Sequence, residues 1–194
     1  MTVIKKLPLQ KIRLIAGVDV SVKDNMSNAA IVVLTYPGLE IKQVITYTTG
    51  TQFPYIPGLL SFREGPVILE CVKKLTLEPD LFLFDGQGLA HPRKTGLATH
   101  MGVILDKPSI GSAKSHLFGT YREPGKKKGS FSLIKDKDGN SIGAVLRTRD
   151  NTNPVFVSPG YLTDIPSSVE IVLSCSPKYK IPEPIRAAHN AAIF

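Results

Sequence analysis

The sequence lacks the features that mark secreted or membrane-bound chains. It has only two cysteines, Cys71 and Cys175, far apart and outside any Cys-x-x-Cys pair. Two such residues build no disulfide framework, and the plain reading is two reduced thiols, one on each of two helices. No apolar run reaches the roughly 20 residues needed to cross a bilayer. The first stretch, MTVIKKLPLQKIRLIAG, has charges but no uninterrupted apolar segment ahead of a cleavage site, which argues against a signal peptide. There is no internal repeat and no linker. These absences point to one domain over residues 1–194 and to a cytoplasmic protein (nuclear, if eukaryotic). Acids are also scarce: 16 Asp plus Glu stand against 24 Lys plus Arg, a formal net charge of +8. That balance favours a polyanionic partner, nucleic acid or an anionic membrane.

What is present reads as an α/β chain. Arg13–Val22, Ala29–Tyr36 and Glu40–Thr48 are β-branched and apolar, and their short connections predict an antiparallel meander. Val67, Leu69, Val72 and Leu75 predict a helix within 61–77. Ser61 and Glu64 make a capping-box pattern, yet Pro66 would then lie inside the helix. A turn at 61–65 with the regular helix opening at Pro66 avoids that conflict. The run DLFLF, 80–84, suits a central strand buried on both faces. A helix near 92–105 and a short strand at 108–111 follow. Further strands are expected at 131–134, 141–148 and 155–158, a helix from Asp164 to about Ser174, and a short C-terminal helix. GKKKG, 125–129, reads as a mobile basic loop adding nonspecific, salt-sensitive phosphate contacts.

Three acids stand where acids are costly or useful. Asp19 sits among apolar neighbours in AGVDVSV, and a charge inside a strand must be paired or bind a metal. Asp85 ends DLFLF, at the carboxyl end of a strand, where α/β sites gather. Gly86 and Gly88 beside it allow close backbone approach. Glu64 follows the loop PYIPG. Carboxylates converging from two strands and a helix suit Mg²⁺ or Mn²⁺ and phosphodiester hydrolysis. The alternatives are that Asp19 pairs with a lysine, Asp85 is a turn residue and Glu64 caps a helix. His91-Pro92-Arg93-Lys94 is either a basic helix start that meets phosphate or a solvated basic face. Taken alone, a lysine such as Lys114 and a histidine such as His189 are more often surface or packing residues than site residues. Tyr55, held between Pro54 and Ile56-Pro57, is a large aromatic in a stiffened loop where it cannot easily become core.

The segments RLIAGVDVS, PYIPGLLSFREGP, LFLFDGQGLAHPRKTGLATHMG, PSIGSAKSHLFG and IPEPIRAAH, in that order, closely resemble the endonuclease V (deoxyinosine 3′ endonuclease) family over about 13–189. The resemblance implies a ribonuclease H-like fold: a mixed central sheet, three antiparallel strands followed by alternating helices and strands, flanked by helices. It implies Mg²⁺-dependent hydrolysis of the second phosphodiester 3′ to a hypoxanthine base in DNA or RNA, leaving 3′-hydroxyl and 5′-phosphate ends. Asp19 and Asp85 match the family's metal-binding aspartates, and Glu64 its third carboxylate, acting through water at the metal. Lys114 matches a lysine near the scissile phosphate, and His189 a histidine at the edge of the metal site. Tyr55 matches the wedge that enters the strand at the lesion, with Pro54, Ile56 and Pro57 as its loop. Backbone groups of Gly58 to Leu60, Gly86 to His91 (including Gly88) and Gly111-Ser112-Ala113 match the base pocket, and Arg93 the basic segment beside it.

The departures from the family pattern are specific. Gln87 stands where the family commonly has histidine, and it cannot titrate. The chain is short before Arg13 and ends soon after His189, which bears on stability and nucleic-acid contacts but removes none of the three carboxylates. Gln87 and the short ends motivate one alternative, a protein that binds inosine-containing nucleic acid without cutting it; a monomer is the default expectation on either reading. A different ribonuclease H-like nuclease would lack the PYIP and AHPR motifs.

Overall fold

The structure is a computed structural model and describes residues 3–194. Among the described residues, eight strands form one sheet in the order β3-β2-β1-β4-β5-β8-β7-β6. The meander comes first: β1 (Leu14–Lys23), β2 (Met26–Thr35) and β3 (Ile41–Gly50) pair antiparallel. The β1–β2 hairpin is tighter and longer than the sequence suggests. Its two-residue turn, Asp24-Asn25, has positive φ at both positions, the conformation that matches strand twist and that short polar side chains tolerate.

The chain then crosses over through α1 (Leu60–Val72) to β4 (Leu81–Phe84), parallel to β1. It crosses again through α2 (Leu97–Leu105) to β5 (Ser109–Ala113), parallel to β4. The antiparallel strands β6 (Phe131–Lys135), β7 (Ser141–Leu146) and β8 (Val155–Tyr161) complete the sheet. The last helices are α3 (Ile165–Ser174) and α4 (Glu183–Ala192).

Side-chain alternation assigns the two faces. Leu81 and Leu83 point into a core built with α3 and α4, through Ile171, Val172, Ile185 and Ala188. Phe82 and Phe84 point into the core under α1 and α2, through Val67, Ile68 and Met101. The run DLFLF is therefore apolar throughout because both its faces are covered. Both cysteines are buried free thiols, Cys71 in α1 and Cys175 at the C-terminal cap of α3.

Three expectations fail locally. Helix α1 starts at Leu60, so Pro66 lies inside it rather than opening it. Its N-cap is Leu59, with no side-chain cap bond, so Ser61 and Glu64 form no capping box. Ser61 Oγ instead pairs with His100 Nδ1 of α2 at 2.9 Å. The basic segment 91–94 is a turn, and α2 begins only at Leu97 after Gly96. The GKKKG loop is fastened rather than mobile: the Gly129 amide donates to the Arg147 carbonyl, and Lys128 Nζ to the Ser176 carbonyl at 2.6 Å. Lys127 pairs with Asp150.

Candidate active site

On parallel β1 and β4, Val18 is opposite Phe84, and the next residue on each chain is an aspartate. The Asp85 amide donates to the Val18 carbonyl at 3.1 Å, so strand register alone sets Asp19 and Asp85 side by side. Their side chains are only 12% and 13% exposed. Each carries one basic partner. Lys114 Nζ, just past β5, lies 2.7 Å from Asp85 Oδ2, and His189 Nδ1, on α4, lies 2.7 Å from Asp19 Oδ2. Glu64 comes from α1, on the opposite face of the sheet from α4. The five acids and bases singled out in the sequence thus come from five elements or element ends.

Helix α4 can deliver His189 because it lies almost on β1. A Cβ on Gly17 would sit 1.9 Å from the Pro184 carbonyl oxygen, so no other residue fits under the helix.

The carboxyls press on one another. Burial, and then the Asp85 charge, raise the pKa of Asp19 above its ordinary value; the His189 hydrogen bond and charge and the charge of Lys114 pull the other way. Burial pushes Glu64 up to about 8, with Asp19 and Asp85 adding to the push and Arg63 opposing it. Burial, the largest single influence, would lower Lys114, but its bond to Asp85 together with the charges of Asp85 and Asp19 holds it above the usual lysine value. Among the described residues no three His, Cys, Asp or Glu side chains close around one metal position. The donor chemistry nevertheless fits a hard divalent cation. The donors are all carboxylate oxygens, buried together, and burial first and the neighbouring aspartates second hold Glu64 up to about 8. Asp19 and Asp85 are the residues that could hold such an ion.

A cavity of about 290 Å³ opens beside this cluster, with Asp85 and Lys114 in its wall. Of the expected pocket residues, Tyr55, Gly58, Leu60, Gly86, His91 and Ala113 line it. Tyr55 is 64% exposed at its mouth, flanked by the exposed Pro54, Ile56 and Pro57. The Arg63 guanidinium lies 5.7 Å from its ring.

The other expected contacts serve the pocket from behind. Arg93 Nη2 donates to the Gly58 carbonyl at 2.8 Å, bracing the tyrosine loop. His91 faces the same carbonyl, and burial and then the Arg93 charge lower its pKa below the ordinary histidine value. The Gly88 amide donates to Ser158 Oγ. A Cβ on Gly111 would meet the Gly86 carbonyl at 2.5 Å, so the loop after Asp85 touches β5 backbone to backbone. Ser112 is buried away from the cavity, its Oγ without a partner. Lys94 is occupied by Asp136 at 2.9 Å.

Sequence reasoning missed part of the lining: Thr95, Gly96, Leu97, Ser115, His116 and Leu117. It also left Gln87 without a role. Its amide Nε2 donates to the Ser115 carbonyl at 3.0 Å, tying the Asp85 loop to the Lys114 loop.

Two aspartates on adjacent parallel strands, a third acid from the crossover helix and a mixed sheet that begins as an antiparallel meander are the mark of a ribonuclease H-like nuclease. The finer kinship is as plain. The chain belongs to the endonuclease V family, whose sequence pattern matches residues 2–190. It is 50% identical over 184 residues to endonuclease V of Kosmotoga olearia, covering 95% of this chain and 81% of that one. Endonuclease V from Streptomyces avermitilis superposes with a TM-score of 0.93 at 36% identity, over 98% of this chain and 85% of that one. Endonuclease V of Ciona intestinalis, solved with a 24mer DNA containing an inosine followed by a ribo-adenosine, has a TM-score of 0.84 at 26% identity, over 98% and 90%.

Proposed function

We propose that this protein is a Mg²⁺-dependent endonuclease. It takes inosine from a DNA or RNA strand into the cavity and hydrolyses the second phosphodiester 3′ to it, leaving 3′-hydroxyl and 5′-phosphate ends. The observation that carries this reading is the carboxylate cluster sharing a wall, Asp85 and Lys114, with a base-sized cavity whose mouth holds an exposed tyrosine. The Ciona relative's complex with inosine-containing DNA supports the choice of base.

Each residue then has a task. Tyr55 stacks in the gap left by the displaced base; its proline-flanked loop and the Arg93 brace mean that little entropy is lost when it does so. Backbone groups from Gly58, Gly86 and Ala113 surround the base edge. Hypoxanthine presents an acceptor at O6 and a donor at N1, the reverse of adenine, so adenine would leave buried backbone groups unpaired. Asp19 and Asp85 would hold the divalent ion, which supplies charge to activate water and stabilise the leaving oxygen. His189 fixes the Asp19 carboxylate by its 2.7 Å bond. Glu64, as the ionised carboxylate, would orient the attacking water and accept its proton. Lys114 stays cationic and faces the charge that develops on the phosphate.

The test is cleavage of labelled DNA and RNA strands, each with one inosine or a matched adenosine, in Mg²⁺ or EDTA. The expected product is a cut one nucleotide beyond the inosine, in Mg²⁺ only. Inosine-dependent binding without any cut would replace this reading with that of a binding protein.

A further inference from the structure

The loop between α3 and α4, residues 176–182, is built like the tyrosine loop but lies on the other side of the carboxylates. It reads SPKYKIP, an aromatic between two lysines inside two prolines. Its ends are pinned, since the Glu183 amide donates to the Cys175 carbonyl at 2.7 Å. Lys128 Nζ holds the Ser176 carbonyl and Thr148 Oγ1 the Lys180 carbonyl, both at 2.6 Å. Tyr179 is 40% exposed on this fixed loop. The Arg186 guanidinium lies 4.8 Å and Lys178 Nζ 5.3 Å from its ring centroid. Among the described residues neither Lys178 nor Lys180 has a carboxylate partner. Lys180 is partly buried and feels the charges of Lys114 and Arg147. Arg186 is held by Glu183, which leaves Lys178 and Lys180 as the uncompensated cations beside the exposed ring, and such a set fits a single strand, whose phosphates and bases need both.

The position fits one part of that strand. The inosine cavity is walled by Asp85 and Lys114 and touches no residue of this loop. A strand seated in the cavity would pass its scissile phosphate by Lys114, and Lys180 lies outside the cavity yet near enough to Lys114 to feel its charge. We propose that loop 176–182 docks the single-stranded segment 3′ of the cut, Lys178 and Lys180 taking backbone phosphates and Tyr179 stacking a base. This rests on the inosine-endonuclease reading above for the direction of the strand.

The test is affinity in EDTA, by fluorescence anisotropy, for two inosine strands: one ending two nucleotides after the inosine, one continuing ten further. Adenosine strands of both lengths run in parallel. Tyr179→Ala should weaken binding of the long strand about fivefold or more, the worth of one stacked base. Tyr179→Phe should keep it. Lys180→Ala should lower the salt slope on the long strand by about 0.7, the release expected for one single-strand phosphate contact. Affinity for the short strand should change less than twofold. Equal losses on both lengths, or none on either, would overturn the proposal. Equal wild-type binding to inosine and adenosine strands would instead overturn the inosine reading, and the length dependence of the variants would still decide the role of the loop.

Discussion

At the scale of single residues, the carboxylates and the tyrosine are separable by experiment. Under the proposed mechanism, Asp85→Ala removes an oxygen that would hold the metal while leaving the cavity backbone in place. Cleavage should fall to background with inosine binding largely kept, as measured by gel cleavage beside anisotropy. Tyr55→Ala should do the reverse, weakening binding to inosine strands by about 1–3 kcal/mol, the value of one lost stack. Cleavage that survives Asp85→Ala in Mg²⁺ would break the mechanism. Gln87 departs from the family motif and has a structural task of its own. It carries no titratable charge, but its amide still ties the Asp85 and Lys114 loops, a role that the type of residue alone did not disclose.

At the scale of elements, much was legible, and the exceptions share a cause. The meander, the doubly buried run DLFLF and the α/β alternation follow from side-chain period, which is local. The start of α1 does not. A rule about proline placed it at Pro66, whereas the helix extends back to Leu60, where Ser61 bonds to His100 across the α1–α2 contact. Tertiary contact outweighed the lost backbone bond to Phe62, and Pro66 is exposed, so water can serve that carbonyl. Pro66→Ala should therefore stabilise the protein by about 2 kcal/mol, read from chemical denaturation. The site pairs were illegible without the resemblance because they join distant positions: His189 to Asp19, Lys114 to Asp85. Gly17 is the hidden condition for the first. Gly17→Ala should lift α4 off β1, cost about 1–3 kcal/mol in stability and cut activity through His189. A melting curve and a cleavage rate check both effects.

At the scale of the whole molecule, the crowded acids make stability depend on pH. A carboxyl held up to about 8 in the native state and near 4.5 when unfolded keeps its proton only when folded across that window. The folded chain then binds more protons, so stability falls as pH rises from about 4.5 to about 8 and levels off beyond. Asp19, also raised, acts with the same sign. Thermal melts in EDTA should show this decline, Glu64→Gln should flatten it, and Mg²⁺ should lessen it by giving the ionised carboxylates a partner. A second consequence follows from where α4 lies. It is the last helix in the sequence, yet it packs on the first two strands, with Asn28 Nδ2 bonded to the Ala192 carbonyl at 3.0 Å. A ribosome-bound chain still lacking α4 has all three acids but not the helix that fixes Asp19. Under the proposed mechanism the protein would stay unarmed while it is being made, and a protease that trims α4 would disarm it again.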